Sequence, residues 1–162
     1  MNNHETLKKV AIDNWQSQIH ATNDVLDKLT DEQLEQEIAP TRNRGTYILG
    51  HLTAVHDMML PLLRFENTMF PELKPVFIDA PDKTVSEVPS AQQLRQQWRS
   101  VNEKLSTHLS KLSADELFAR HSNVSEEAFV NEPHRNRLNV LLSRTNHLSY
   151  HRGQLALLQK KD

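Results

Sequence analysis

The sequence predicts an all-α fold, a four-helix bundle with a long crossover between helices 2 and 3. Three observations lead there. Apolar residues recur at three- and four-residue steps in four separate stretches, the pattern of helices that each bury one face. There are only three glycines, at positions 45, 50 and 153, and no period-two alternation runs long enough for a sheet. Finally, a Thr/Ser-x-x-Gln/Glu capping signature follows two of the long helices, at Thr30 to Gln33 and at Ser113 to Glu116.

The first long helix is expected from about Asn3 to Leu29, with Val10, Ala11, Trp15, Ile19, Thr22, Leu26 and Leu29 as its inner stripe. Thr30 then caps a short helix that ends near Pro40. The second long helix is expected from about Thr46 to Met69, burying Ile48, Leu52, Val55, Met59, Leu62 and Leu63, and Pro61 should kink or shorten it. From Phe70 to Pro89 four prolines break regular structure. This crossover is too apolar at Val76-Phe77-Ile78 to be a free linker, and it is long enough to return a parallel helix. Ser90 caps the third long helix, with Leu94, Trp98, Val101, Leu105, Leu109 and Leu112 in heptad-like order. A loop over residues 122–135 leads to the fourth, starting near Asn136, whose seam carries Leu141, Leu148, Leu155 and Leu158.

The two halves resemble each other. Asp27 to Leu34 and Ser110 to Leu117 each close a long helix, and each is followed by an Asn-Arg pair and a helix carrying His-Leu, at His51-Leu52 and His147-Leu148. Two helix pairs related by an approximate two-fold would bring those histidines together in the core.

Composition bounds the function. The chain of 162 residues is 37% hydrophobic and 25% charged, which suits one globular domain over residues 1–162. A formal charge of −2 leaves no basic stripe for nucleic-acid phosphates. No apolar stretch approaches the ~20 residues of a membrane span, and the N-terminus lacks a signal-peptide pattern, so a cytoplasmic protein is expected. The absence of cysteine excludes disulfides, thiolate ligands and a cysteine nucleophile.

The chemistry lies in the histidines, nine in all. His147 and His151 are four residues apart, which on a helix places the rings roughly 6 Å apart along the axis and about 40° apart around it, able to converge on one metal ion. His51 is the third candidate. His56 lies about 140° around the same helix, so His51 and His56 cannot both reach one ion. The plainer alternative is a set of hydrogen-bonded core histidines. Arg144 and His151 occupy seam positions between the leucines, and such groups cost stability unless they are paired or metal-bound. Gln154 could orient a bound water or a ligand histidine, and Arg144 could hold an anionic group of a substrate. Each also reads as a helix-surface residue, or Arg144 as one half of an ion pair. His20 and His108 fall near apolar stripes as core or boundary residues; His4, His121 and His134 fall in terminal or loop segments and are expected to be solvated.

Tyr47-Ile48-Leu49-Gly50-His51-Leu52, together with His147-x-x-x-His151-Arg152-Gly153-Gln154, resembles the DinB-like superfamily of four-helix-bundle metalloproteins, which includes the YfiT-type metal-dependent hydrolases. The resemblance spans nearly the whole chain, and its most specific part is the His-Arg-Gly-Gln ending. It implies an up-down-down-up bundle and selects His51, with His147 and His151, as ligands of a divalent ion such as zinc or nickel. It also implies a homodimer. Relatives of this type include thiol-dependent S-transferases and a mycothiol-dependent maleylpyruvate isomerase, so a low-molecular-weight thiol is a candidate cosubstrate.

Three imidazoles suit zinc, nickel, iron(II) or copper and leave a coordination position for water or a small-molecule substrate. The residues between His147 and His151 are Leu148, Ser149 and Tyr150, so the glutamate base of the His-Glu-x-x-His peptidases is missing. Three functional classes follow: a metal-dependent S-transferase or hydrolase, a non-catalytic metal-binding stress or regulatory module, and a metal-free bundle that binds a partner.

Overall fold

The computed structural model describes residues 3–159, and these are all-helical apart from turns, loops and two isolated β-bridges. In chain order the elements are α1 (Asn3–Asp27), α2 (Asp31–Leu34), α3 (Gly45–Leu62), α4 (Leu73–Phe77), α5 (Ala91–Lys111), α6 (Ala114–Phe118), α7 (Glu126–Asn131) and α8 (Arg137–Ala156). The long helices α1, α3, α5 and α8 are the ones the periodicity predicts. α1 packs on α8 and α3 on α5, while α3 also meets α8 and α1 meets α5, so the four apolar stripes face one interior. No described helix is long and apolar enough to cross a membrane.

The stripes of the third and fourth long helices are buried as expected, from Leu94 through Leu112 and from Leu141 through Leu158. In α1 the expectation fails at Val10, which is 58% exposed, while Ile12 is buried. Val10 stands five residues from Trp15, about 140° around the helix, so it cannot share the face that Trp15 sets.

Local chemistry explains the helix ends. Thr30, Ser90 and Ser113 each form a full capping box, with Gln33, Gln93 and Glu116 respectively. The second long helix does not reach Met69. Pro61 removes an amide from the α3 ladder, and the helix stops one residue later. Arg64 adopts a left-handed φ of 60°, and the amides of Arg64 and Phe65 bond the carbonyls of Pro61 and Leu60 at 3.0 and 2.9 Å, closing a Schellman motif.

The crossover is anchored at both ends. The buried Asp57 carboxylate on α3 accepts the amides of Met69 and Phe70 at 2.7 and 2.9 Å. Farther along, the Arg44 guanidinium donates to Asp82 at 2.7 Å and the Tyr47 hydroxyl to the Ala80 carbonyl at 2.7 Å. Between these anchors α4 lies against α3, with Phe77 buried on Gly50.

The internal repeat has a structural counterpart. Glu37 bridges to Arg44 and Arg120 to Asn136, and Arg44 and Asn136 are the N-caps of α3 and α8. Aligned on those caps, His51 and His147 differ by four positions, one turn of the same helix face.

His56 is fully buried between Trp15 and Trp98, with ring centroids 4.8 Å away on each side. Its Nδ1 meets Asn102 Oδ1 at 2.7 Å, and Asn102 donates its own amide to the Trp98 carbonyl, so Oδ1 is the acceptor and Nδ1 carries the proton. Burial pushes the His56 pKa down from 6.5 to about 3, outweighing the Asn102 hydrogen bond. The unfolded chain therefore takes up this proton below 6.5 while the folded chain refuses it, so the stability present above pH 6.5 is lost as pH falls toward 3. Denaturant unfolding of wild type and His56→Gln at several pH values across that window should show a flatter pH dependence in the variant, by up to about 1.4 kcal/mol per pH unit. Parallel curves would mean that the folded protein accepts the proton.

Candidate metal centre

His51 on α3 and His147 and His151 on α8 come together, their candidate ligand atoms all lying within 4.8 Å of one another. His147 Nε2 is 3.1 Å from His51 Nε2 and 3.1 Å from His151 Nε2. Nitrogens held about 2.0–2.1 Å from one tetrahedral ion stand roughly 3.3–3.4 Å apart, so the two spacings to His147 already approximate those of ligands to one ion.

Proton bookkeeping sharpens the fit. His51 Nδ1 faces the Phe77 carbonyl at 2.9 Å, and that oxygen can only accept, so the ring proton sits on Nδ1 and Nε2 is bare. His151 Nδ1 faces Gln154 Oε1 at 2.6 Å, with the Gln154 amide nitrogen donating to the Tyr150 hydroxyl at 3.2 Å, so its Nε2 is bare as well. Both bare nitrogens point at His147 Nε2, which can donate to only one of them at a time. The buried His147 Nδ1 finds no partner among the described residues. Three converging nitrogens with at most one proton between them are an arrangement that a cation satisfies and that neutral core packing does not.

The electrostatics agree. Burial, followed by His151, His51 and Arg144, holds the His147 pKa down from 6.5 to about 4. Burial also lowers His151, against the raising effect of its bond to Gln154. Both rings are therefore neutral at pH 7, the form that ligates metals.

Gln154 thus orients His151, as it would have to if that ring is to serve as a ligand. Replacing it with leucine leaves His151 free to rotate and its Nδ1–H unpaired; the expected result is a 10–100-fold weaker metal affinity, read by competition with a chromophoric chelator. Unchanged affinity would assign the ring's orientation to packing alone. Arg152 and Ser149 reach back to α1, both donating to Gln18 Oε1 at 2.6 and 2.7 Å, and so fix the face that α8 presents. Gly153 meets nothing that a side chain would disturb.

The Phe77 carbonyl was not among the residues singled out in the sequence. Its signal was indirect: Gly50 sits inside a helix, where glycine costs roughly 1 kcal/mol relative to alanine, and a Cβ there would lie 2.4–2.5 Å from the Phe77 ring. The glycine lets α4 approach closely enough for the Phe77 backbone to reach His51.

The remaining histidines lie outside the cluster. His56 is a core residue, His20 is exposed, and His108 stacks on Phe65 and meets Glu66 at 2.8 Å. His4 packs on Phe118 and His134 is exposed. His121 departs from expectation: it is half-buried and lines a groove beside Arg144, because the segment after α6 folds back onto α3, with the Ser122 amide donating to the Leu62 carbonyl at 3.0 Å. Arg144 has no carboxylate partner, so its reading as half of an ion pair does not hold among the described residues.

A solved structure described as a conserved protein from Enterococcus faecalis superposes with a TM-score of 0.65 at 14% identity, covering 93% of this chain and 94% of that one, which shows a shared fold. No curated protein matches the chain. The family model described as the DinB superfamily matches residues 14–155. On that match, which spans most of the chain and includes all three converging histidines, the protein belongs to the DinB superfamily.

Proposed function

We propose that this protein holds one divalent ion, zinc or nickel, on His51, His147 and His151 and uses it as a small-molecule enzyme, either transferring a low-molecular-weight thiol or hydrolysing its substrate. The observation that carries the reading is the convergence of three imidazoles with two Nδ1–H groups already committed to Phe77 and Gln154. No Asp or Glu joins the cluster among the described residues, which leaves an open position. A bound ion would supply Lewis acidity there, lowering the pKa of water or of a thiol. The chain's own contribution is orientation: Phe77 and Gln154 fix two rings, and Gln18 holds α8 in place.

The bundle is proposed to run up-down-down-up within a single domain. Arg95 with the Leu29 carbonyl and Trp98 with Asn23 support an antiparallel α1 and α5. His56 with Asn102 and Glu66 with His108 support a parallel α3 and α5.

The test is turnover by the zinc- and nickel-loaded protein across a panel of thiol acceptors and small esters and amides. Metal-dependent turnover that a chelator abolishes with helicity intact is the expected result. Stoichiometric metal without turnover anywhere on the panel would place the protein among non-catalytic metal-binding modules instead.

A further inference from the structure

Beside the three histidines, between α3 and α8, runs a groove made of two adjoining cavities of about 350 and 250 Å³ that share Leu62, Asn123 and Arg144. It starts one helical turn from the metal ligands, since Val55 follows His51 by four positions and Arg144 precedes His147 by three. Its walls are of two kinds. Val55, Met58 and Leu62 supply an apolar side, and Ser122, Asn123 and Asn139 supply hydrogen-bonding groups. Neither cavity is lined by an Asp or a Glu.

Arg144 is the anomaly in this groove. It is half-buried, its Nε is fully covered, and no hydrogen bond or ion pair reaches it among the described residues. The groove's other strong cation, Lys74, is already neutralised by Asp79 at 2.7 Å. A guanidinium whose Nε is covered without an acceptor costs stability that a partner oxyanion would restore, and its planar fork matches carboxylate or phosphate oxygens in pairs. Combined volume, a mixed lining and one convergent charge are the properties of a small-molecule site.

We infer that Arg144 anchors the oxyanion end of a small substrate, a carboxylate or phosphate, whose apolar body lies along Val55, Met58 and Leu62 toward the histidine triad. The inference rests on the metal-centre reading for the substrate's reacting end, and on the unpartnered guanidinium alone for its anionic end. The two can therefore fail separately.

The experiment has two arms. In metal-free protein, the Arg144 Nε–H resonance is followed by ¹⁵N NMR during titration with hexanoate, hexyl phosphate and hexanol. A saturable shift with either anion and none with the alcohol is expected, and the stronger of the two identifies the oxyanion. No shift with either anion would overturn the inference whatever the metal does. In cobalt-loaded protein, the thiolate-to-cobalt absorption band reports binding of mercaptoalkanoates and of the mercaptoalcohols of equal length. At the chain length that spans the groove, the acid should bind about 10–100-fold tighter than the alcohol, and Arg144→Met should bring that ratio to about one while Arg144→Lys keeps part of it. A ratio unchanged in Arg144→Met, with its fold checked by circular dichroism, would also overturn the inference. No band with any thiol, beside a saturable Arg144 shift, would instead remove thiols as ligands of the metal centre and leave the anion site standing.

Discussion

Replacing His147 with alanine is expected to take bound zinc from one ion per chain to none at micromolar metal, and His51→Ala and His151→Ala to do the same. Structural zinc sites with four ligands gain about 10–16 kcal/mol, so one ligand of a set contributes on the order of 3 kcal/mol, a loss of at least a hundredfold in affinity. Metal content by plasma mass spectrometry reads the outcome, and added zinc should raise the melting temperature of wild type only, as expected when a ligand binds the folded state alone. A second consequence has the opposite sign. Without metal, His147 sits against two bare nitrogens at 3.1 Å with its own Nδ1 buried and unpartnered. Removing that ring should therefore leave metal-free stability unchanged or slightly improved, where deletion of an ordinary buried residue of this size costs several kcal/mol. A His147→Leu protein that is markedly less stable than metal-free wild type would identify the triad as structural core, and retention of one ion in all three variants would place the metal elsewhere.

Which parts of this site could be read from the chain depends on the range of the interactions that build it. His147 and His151 were legible because four residues on one helix fix their relation locally, and the helices themselves were legible through caps and stripes that lie within a few residues of each other. His51 was harder. Its distance from the other two depends on how α3 meets α8, and the internal repeat and the resemblance to a known family, not local spacing, favoured it over His56. The end of α3 was half legible: Pro61 announces a break, but a left-handed Arg64 carries no sequence signal, because glycine is the residue expected there. The Phe77 carbonyl left only the indirect mark of Gly50, and Arg144, though named as a candidate anion anchor, gave no sign in the sequence of being solitary. A backbone acceptor has no residue identity, and the lack of a partner is a property of every surrounding element at once. The same holds for α7, which buries no residue and so leaves no periodic mark in the sequence.

Gly50→Ala is expected to damage both stability and metal affinity, although alanine is the better helix former by about 1 kcal/mol. The added Cβ would lie 2.4–2.5 Å from three atoms of the Phe77 ring, closer than any real contact, and Phe77 is held by a crossover tied down at Asp57 and Asp82. Overpacking of this kind costs about 1–3 kcal/mol, and expelling the ring forfeits about 1.5–3 kcal/mol of burial, so against the gain in helix propensity a net loss of about 1.5–5 kcal/mol should appear in denaturant unfolding. The effect on the site follows from the backbone. If α4 lifts away from α3, the Phe77 carbonyl leaves His51 Nδ1, and loss of such an orienting acceptor lowers metal affinity about 10–100-fold. Shortening the ring should undo the clash while keeping the carbonyl, so Phe77→Leu is expected to be less harmful on the Gly50→Ala background than on wild type. That inversion is the discriminating result. If the two substitutions simply add, Gly50 is acting through helix propensity or the unfolded chain, and the crossover is not what holds His51 in place.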